Sequence, residues 1–125
     1  MLPPGARLRR SSEFRAVFES GKAYPDALVV LHVQALPDRP GECQVGFSVS
    51  KKVGGAVVRN RVKRRLRAIV AHHLPELIPG HHLVLRARPP AAQAEFGALE
   101  AAVCRVLERA RLRLCSTVDK GVEAP

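Results

Sequence analysis

Residues Gly46 to Arg67 read GFSVSKKVGGAVVRNRVKRRLR, and the organisation of the whole chain follows from how this stretch folds. It carries eight basic residues, Lys51, Lys52, Arg59, Arg61, Lys63, Arg64, Arg65 and Arg67, and no acid lies between Glu42 and Glu76. A bare run of like charge would stay expanded. Apolar residues at structural spacings argue otherwise. Val45, Phe47 and Val49 alternate with Gly46, Ser48 and Ser50, the period of a half-buried strand. Beyond Gly54-Gly55, residues Val58, Val62, Leu66, Ile69 and Val70 recur at helical steps, the stripe of an amphipathic helix. That helix is predicted from about Val57 to Leu74, ending before Pro75. On it Asn60, Lys63, Arg64 and Arg67 gather opposite the apolar arc, with Arg61 and Arg65 in a second row beside them. An ordered face of cations requires a polyanion to be useful, and RNA is the reading.

Composition agrees. With 125 residues the chain is long enough for one core and too short for two, so residues 1–125 read as a single domain with an ordered core over about 7–115. Aromatics are only 4% against 46% apolar residues, so Val, Leu, Ala and Ile must build the core. A net charge of +10 falls in the range of nucleic-acid-binding domains, and its concentration in one stretch argues against a basic but ordinary surface. Cys43, Cys104 and Cys115 form no Cys-x-x-Cys pair, which argues for a reducing compartment rather than a disulfide framework. The start MLPPGARLRR has no apolar signal region, and no window is long and apolar enough for a membrane span. A cytoplasmic protein is expected.

In order, residues 1–10 read as a loosely held basic arm, and 116–125 as a tail without apolar periodicity. Ser11-Ser12 with Glu13 reads as a helix start and Gly21 as its stop. Phe14, Val17 and Phe18 share one face; Val17 suits the core, while Phe14 and Phe18 fit either core packing or stacking on unpaired bases. Lys22–Tyr24 offers a short edge strand, and residues 27–36 a central one. The turn at Pro37–Gly41 then leads into the strand at about 43–50, which reads as a β-hairpin. Gly54-Gly55 serves either a turn or close approach of backbone to a phosphate. His82 to Ala87 reads as a further strand. Pro89-Pro90 opens the last helix, with Phe96, Leu99, Val103, Val106, Leu107 and Ala110 as its buried stripe and Cys104 and Cys115 packing as small apolar groups.

Three pieces together resemble the bacterial ribonuclease P protein subunit, from Arg7 to about Leu114: RLRRSSEFRAVFESGK over 7–22, the 46–67 stretch around Arg59-Asn60-Arg61, and the strand exit Ala87-Arg88-Pro89. The resemblance implies an α+β fold, an α-β-β-β-α-β-α two-layer sandwich similar to the second domain of ribosomal protein S5, with a left-handed β-α-β crossover. It also implies an accessory role. The RNA subunit, with bound Mg²⁺, removes the 5′ leader of precursor tRNA, while the protein binds the single-stranded leader and favours productive Mg²⁺ binding. No catalytic residue, no metal ligand and no tightly bound cofactor is expected on this chain, and its partners are the RNA subunit and precursor tRNA, with no membrane and no obligate protein partner. Carried over, the leader groove is lined by Phe14, Phe18, Val30, His32, Ser48, Lys51 and Arg59. The RNA subunit is met by Lys52, Asn60, Arg61, Lys63, Arg64 and Arg67. His32 departs from the family, where an aromatic, often Tyr, is common; imidazole titrates near neutral pH, so leader contact is expected to weaken as it loses its proton.

Rival readings fare worse. A protein-catalysed nuclease needs a general base or a carboxylate cluster, and no pair of acids has suggestive spacing. His72-His73 and His81-His82 invite a zinc reading, but adjacent helical residues diverge by about 100° and no Cys is near them in sequence. A helix-turn-helix reader of DNA would want two helices joined by a tight turn, where strands flank this one. A ribosomal protein of the same fold is opposed only by the order of the motifs.

Overall fold

The computed structural model describes residues 6–8, 10–20 and 22–112. The expected stop at Gly21, the tail from 116, Cys115 and most of the basic arm lie outside the described residues. The elements are α1 (Ser11–Glu19), β1 (Lys22–Pro25), β2 (Val29–Ala35), β3 (Cys43–Ser48), α2 (Ala56–His73), β4 (His81–Ala87) and α3 (Phe96–Arg109). Their order is the expected α-β-β-β-α-β-α. One-turn 3₁₀ segments at Leu74–Glu76 and Pro89–Ala92 follow α2 and precede α3.

The sheet runs β1-β2-β4-β3, with β1–β2 and β2–β4 antiparallel and β3–β4 parallel. This corrects the hairpin expected between β2 and β3. The two never pair, because β4 is inserted between them. Leu83, Val84 and Leu85 are buried on both faces, as a central strand requires, whereas β3 is fully buried only at Val45 and Gly46 and takes an edge. The loop after β2 instead crosses the start of β4, where Leu36 N–H donates to Gly80 O at 2.8 Å and His81 N–H to Glu42 O at 3.1 Å.

Two faces of the sheet have different cover. Val29, Leu31 and Val33 of β2, Val45 of β3, and Leu83, Leu85 and Ala87 of β4 share one core with Val62, Leu66, Ile69 and Val70 of α2 and Leu99, Val103, Val106 and Leu107 of α3. On the opposite face a small cluster of Leu8, Val17 and Val84, with Phe14 against it, seats α1. Among the described residues, no further helix covers that face.

Four local expectations change. The cap of α1 is not a serine hydroxyl: Arg10 is the N-cap, and its N–H donates to Glu13 Oε1 at 3.2 Å. Residues 6–8 are docked rather than loose, since Arg7 bridges Val45 in parallel and Leu8 N–H donates to Val45 O at 3.1 Å, covering the β3 edge. Pro89-Pro90 starts the 3₁₀ segment and not α3, which begins at Phe96 after Glu95. Phe96, on that first turn, is exposed rather than part of the stripe.

Gly46 shows why the chain can bring α1 so close. A Cβ there would meet Phe14 Cζ at 2.5 Å and Leu8 Cβ at 3.1 Å, so the ring lies directly on backbone. Gly46→Ala is expected to cost about 1–3 kcal/mol as an overpacked site. In a Phe14→Leu background much of that cost should vanish. Denaturant melts of the four proteins test this, and an equal cost in both backgrounds would refute the contact.

Candidate nucleic-acid interface

On the open face, Ser11, Phe14, Arg15, Phe18 and Ser48 line a shallow depression of about 500 Å³. Phe18 is 38% exposed and meets the His32 ring edge to face, with centroids 4.6 Å apart. Arg86 Nε donates to His32 Nε2 at 3.3 Å, which places the proton of the neutral ring on Nδ1. Arg86 lies opposite Val30 on β2 and Ser48 on β3, so it stands in the middle of this face. It adjoins the candidate groove through His32, and sequence reasoning did not single it out. The signal was a lone arginine beside the apolar run Leu83–Leu85 of β4. Val30 is only 6% exposed and forms floor rather than contact surface.

The cationic face of α2 is where the helical wheel puts it. Asn60, Lys63, Arg64, Arg67 and Ala68 line a second depression of about 430 Å³. A third, of about 190 Å³, is bounded by Arg7, Leu8, Phe14, Val45, Phe47, Lys63 and Arg67. It connects the other two. Phe14 borders the aromatic groove and this hollow, while Lys63 and Arg67 border this hollow and the basic face. The two surfaces inferred from sequence are therefore one strip, wrapped around the β3 edge.

Other expected contacts fall outside these three linings. Lys51 and Lys52 are exposed on the turn between β3 and α2, and Arg59 is half-buried on the first turn of α2. Arg61 Nη2 donates to Ala92 O at 3.1 Å and Arg65 Nη1 to Ala94 O at 3.2 Å, so the second row braces the segment before α3. Among the described residues, no arginine or lysine of α2 pairs with a carboxylate. The N-terminus of α2 has no acid in its first turn and no side-chain cap, leaving its N–H groups and the positive dipole end for an anion. The two glycines there differ. A Cβ on Gly54 would meet Val58 Cβ at 2.9 Å, while one on Gly55 would meet nothing within 4 Å.

An aromatic groove continuous with a cationic helix, carried on a mixed α+β sheet, is a surface whose chemistry suits nucleic acid. A family profile described as Ribonuclease P matches residues 2–111. The ribonuclease P protein component of Beutenbergia cavernae is 50% identical over 100 residues, covering 80% of this chain and 83% of that protein. That of Acidothermus cellulolyticus is 47% identical over 110 residues, covering 87% and 91%. Among solved structures, the RNase P protein of Staphylococcus aureus superposes with a TM-score of 0.78 at 24% identity, covering 86% of this chain and 97% of that one. The Thermotoga maritima protein gives 0.72 at 23%, covering 82% and 96%. The chain belongs to the ribonuclease P protein family.

His32 carries a pH consequence that revises the expectation from sequence. Burial, then the Arg86 charge, lowers its pKa from 6.5, so the ring is neutral at neutral pH. The unfolded chain then binds this proton more readily than the folded one. The corresponding stability is complete above about pH 6.5 and declines as pH falls through the folded pKa. The ring protons of His32 should titrate by NMR with a midpoint below 6.5. In Arg86→Gln protein that midpoint should rise; a midpoint unmoved by the substitution would remove Arg86 from the account.

Proposed function

We propose that this chain is the RNA-binding subunit of ribonuclease P, holding the single-stranded 5′ leader of precursor tRNA in the α1 groove and the RNA subunit on the basic face of α2. The observation that carries this reading is the continuity of the strip through Arg7, Phe14, Lys63 and Arg67. A leader nucleotide stacks on Phe18 and the neutral His32 ring, with Arg86 and Arg15 beside its phosphates. Arg7, Lys63, Arg64 and Arg67 neutralise phosphates where leader and RNA subunit converge.

The chemistry belongs to the RNA. The lining of the basic face includes Asn60 but no carboxylate, so it is not an oxygen cage for Mg²⁺, which prefers carboxylates and phosphates. Mg²⁺ held by the RNA would supply an activated water and stabilisation of the leaving oxygen. The protein's cations reduce repulsion among the phosphates that hold it, and its groove keeps the leader in register with them. Mixing the chain with a bacterial ribonuclease P RNA at low Mg²⁺ should yield 5′ maturation that neither component gives alone.

Salt titrations separate the two parts of the strip. Arg64→Ala should reduce the salt slope of RNA binding by about 0.7–0.9 per lost phosphate contact. Phe18→Ala should cost about 1–3 kcal/mol of leader binding with the slope nearly unchanged, since stacking releases few ions. Phe18 suits this test better than Phe14, whose ring also seats α1 on Gly46. Indistinguishable salt profiles for the two variants would defeat the division of labour.

A further inference from the structure

At the far end of α2 from its open N-terminus, the fold assembles a cluster outside the linings of the basic strip. His73 is 7% exposed, and both of its ring nitrogens face carboxylates: Nδ1 lies 3.0 Å from Glu76 Oε1, and Nε2 lies 3.0 Å from Glu100 Oε2. Cys104 Sγ is 3.6 Å from the same Nε2. His72 lies edge to face with His73 at 4.9 Å, and donor atoms of His72, His73 and Glu100 all fall within 4.8 Å of one another. Separation in sequence hid this group. Glu100 and Cys104 come from successive turns of α3, and the neighbouring His rings meet despite their divergence along the helix.

A neutral imidazole has one N–H and can donate to only one carboxylate. Its other nitrogen then aims a lone pair at a carboxylate oxygen, which is repulsive unless a cation lies between them. We propose that this cation is a zinc-class divalent ion, held by His73 Nε2, His72, Glu100 and Cys104, with Glu76 on Nδ1 orienting the ring. Two nitrogens, one oxygen and one sulfur form a tetrahedral donor set for Zn²⁺, whereas a thiolate does not suit Mg²⁺ or Ca²⁺. The Glu76–His73 pair reproduces the carboxylate–histidine arrangement that supports metal-bound imidazole. Tetrahedral donors at about 2.1 Å from an ion lie about 3.4 Å apart, so rotation of the exposed His72 side chain closes the set. Binding releases the Cys104 thiol proton, and any proton shared by His73 and Glu100, to solvent. The ion fastens the C-terminal end of α2 to α3.

The test uses the full chain, stripped by a chelator and titrated with Co²⁺ and then Zn²⁺. One Co²⁺ per chain is expected, with a tetrahedral d–d spectrum and a thiolate-to-metal charge-transfer band. Cys104→Ser should remove that band, while Cys43→Ser and Cys115→Ser retain it. Glu76→Gln, which leaves the four donors in place, should weaken Zn²⁺ by about tenfold or more. Zn²⁺ should raise the melting temperature of the unsubstituted chain but not of a Glu100→Gln/Cys104→Ser protein. Absence of Co²⁺ uptake, or a charge-transfer band that survives Cys104→Ser, would overturn the site and leave a proton as the bridging cation.

Discussion

Burial of one side of α2 is the constraint on which the rest depends. Val62, Leu66, Ile69 and Val70 are almost wholly removed from water, and each such side chain contributes about 1.5–3 kcal/mol. Neighbouring cations on the other side, about 6 Å apart in water, repel by only about 0.7 kcal/mol per pair before salt screening. Packing therefore wins by a wide margin, and the helix forms with its charges crowded. The repulsion persists as a standing bias toward any polyanion that relieves it. Cations in α2 that pair with no carboxylate among the described residues weaken the free protein slightly and would favour a complex with such a polyanion.

Sheet order then decides what the crowded face sits beside. Because β4 enters between β2 and β3, the edge strand next to α2 is also the strand on which α1 rests through Gly46. Residues 6–8 close that edge and bring Arg7 to the junction. Had β2 and β3 formed the hairpin their proximity suggested, β3 would have stood between two partners or at a different edge. The aromatic groove and the basic helix would then have been separated. The parallel β3–α2–β4 unit makes them continuous.

Much of this was legible from residues. Strict alternation in Val45–Ser50 identified a half-buried strand, and the helical stripe gave α2 to within a residue at each end. Strand pairing was not legible, since local turn chemistry at Pro37–Gly41 fits a hairpin equally well and only burial on both faces marks β4 as central. The cationic face of α2 was legible because it depends on helical periodicity, which gathers Asn60, Lys63, Arg64 and Arg67. What depends on tertiary neighbours was not legible. Arg61 was carried to the RNA face by the resemblance, and the structure adds a bond from its guanidinium to the carbonyl of Ala92; Arg86 was not singled out because nothing in a strand sequence says which face stays open. His73 and Cys104 meet only through the packing of α2 on α3.

Where the acids go completes the electrostatic logic. Asp26 accepts both arms of Arg105 at 3.0 Å, tying the β1–β2 turn to α3, and this hydrogen bonding chiefly lowers its pKa. Glu42 is held down in the same way by His82, with Arg39 adding to it. Glu13 caps α1, and Glu76 and Glu100 flank His73. Each of these carboxylates performs a structural task against a cation or N–H away from the lining of the basic hollow. Placed near Lys63 or Arg64, the same acids would have formed exposed pairs worth at most about 1 kcal/mol. They would also have cancelled the positive field along the strip. Spending negative charge on fastening the scaffold, rather than on relieving α2, leaves the positive face available to a partner.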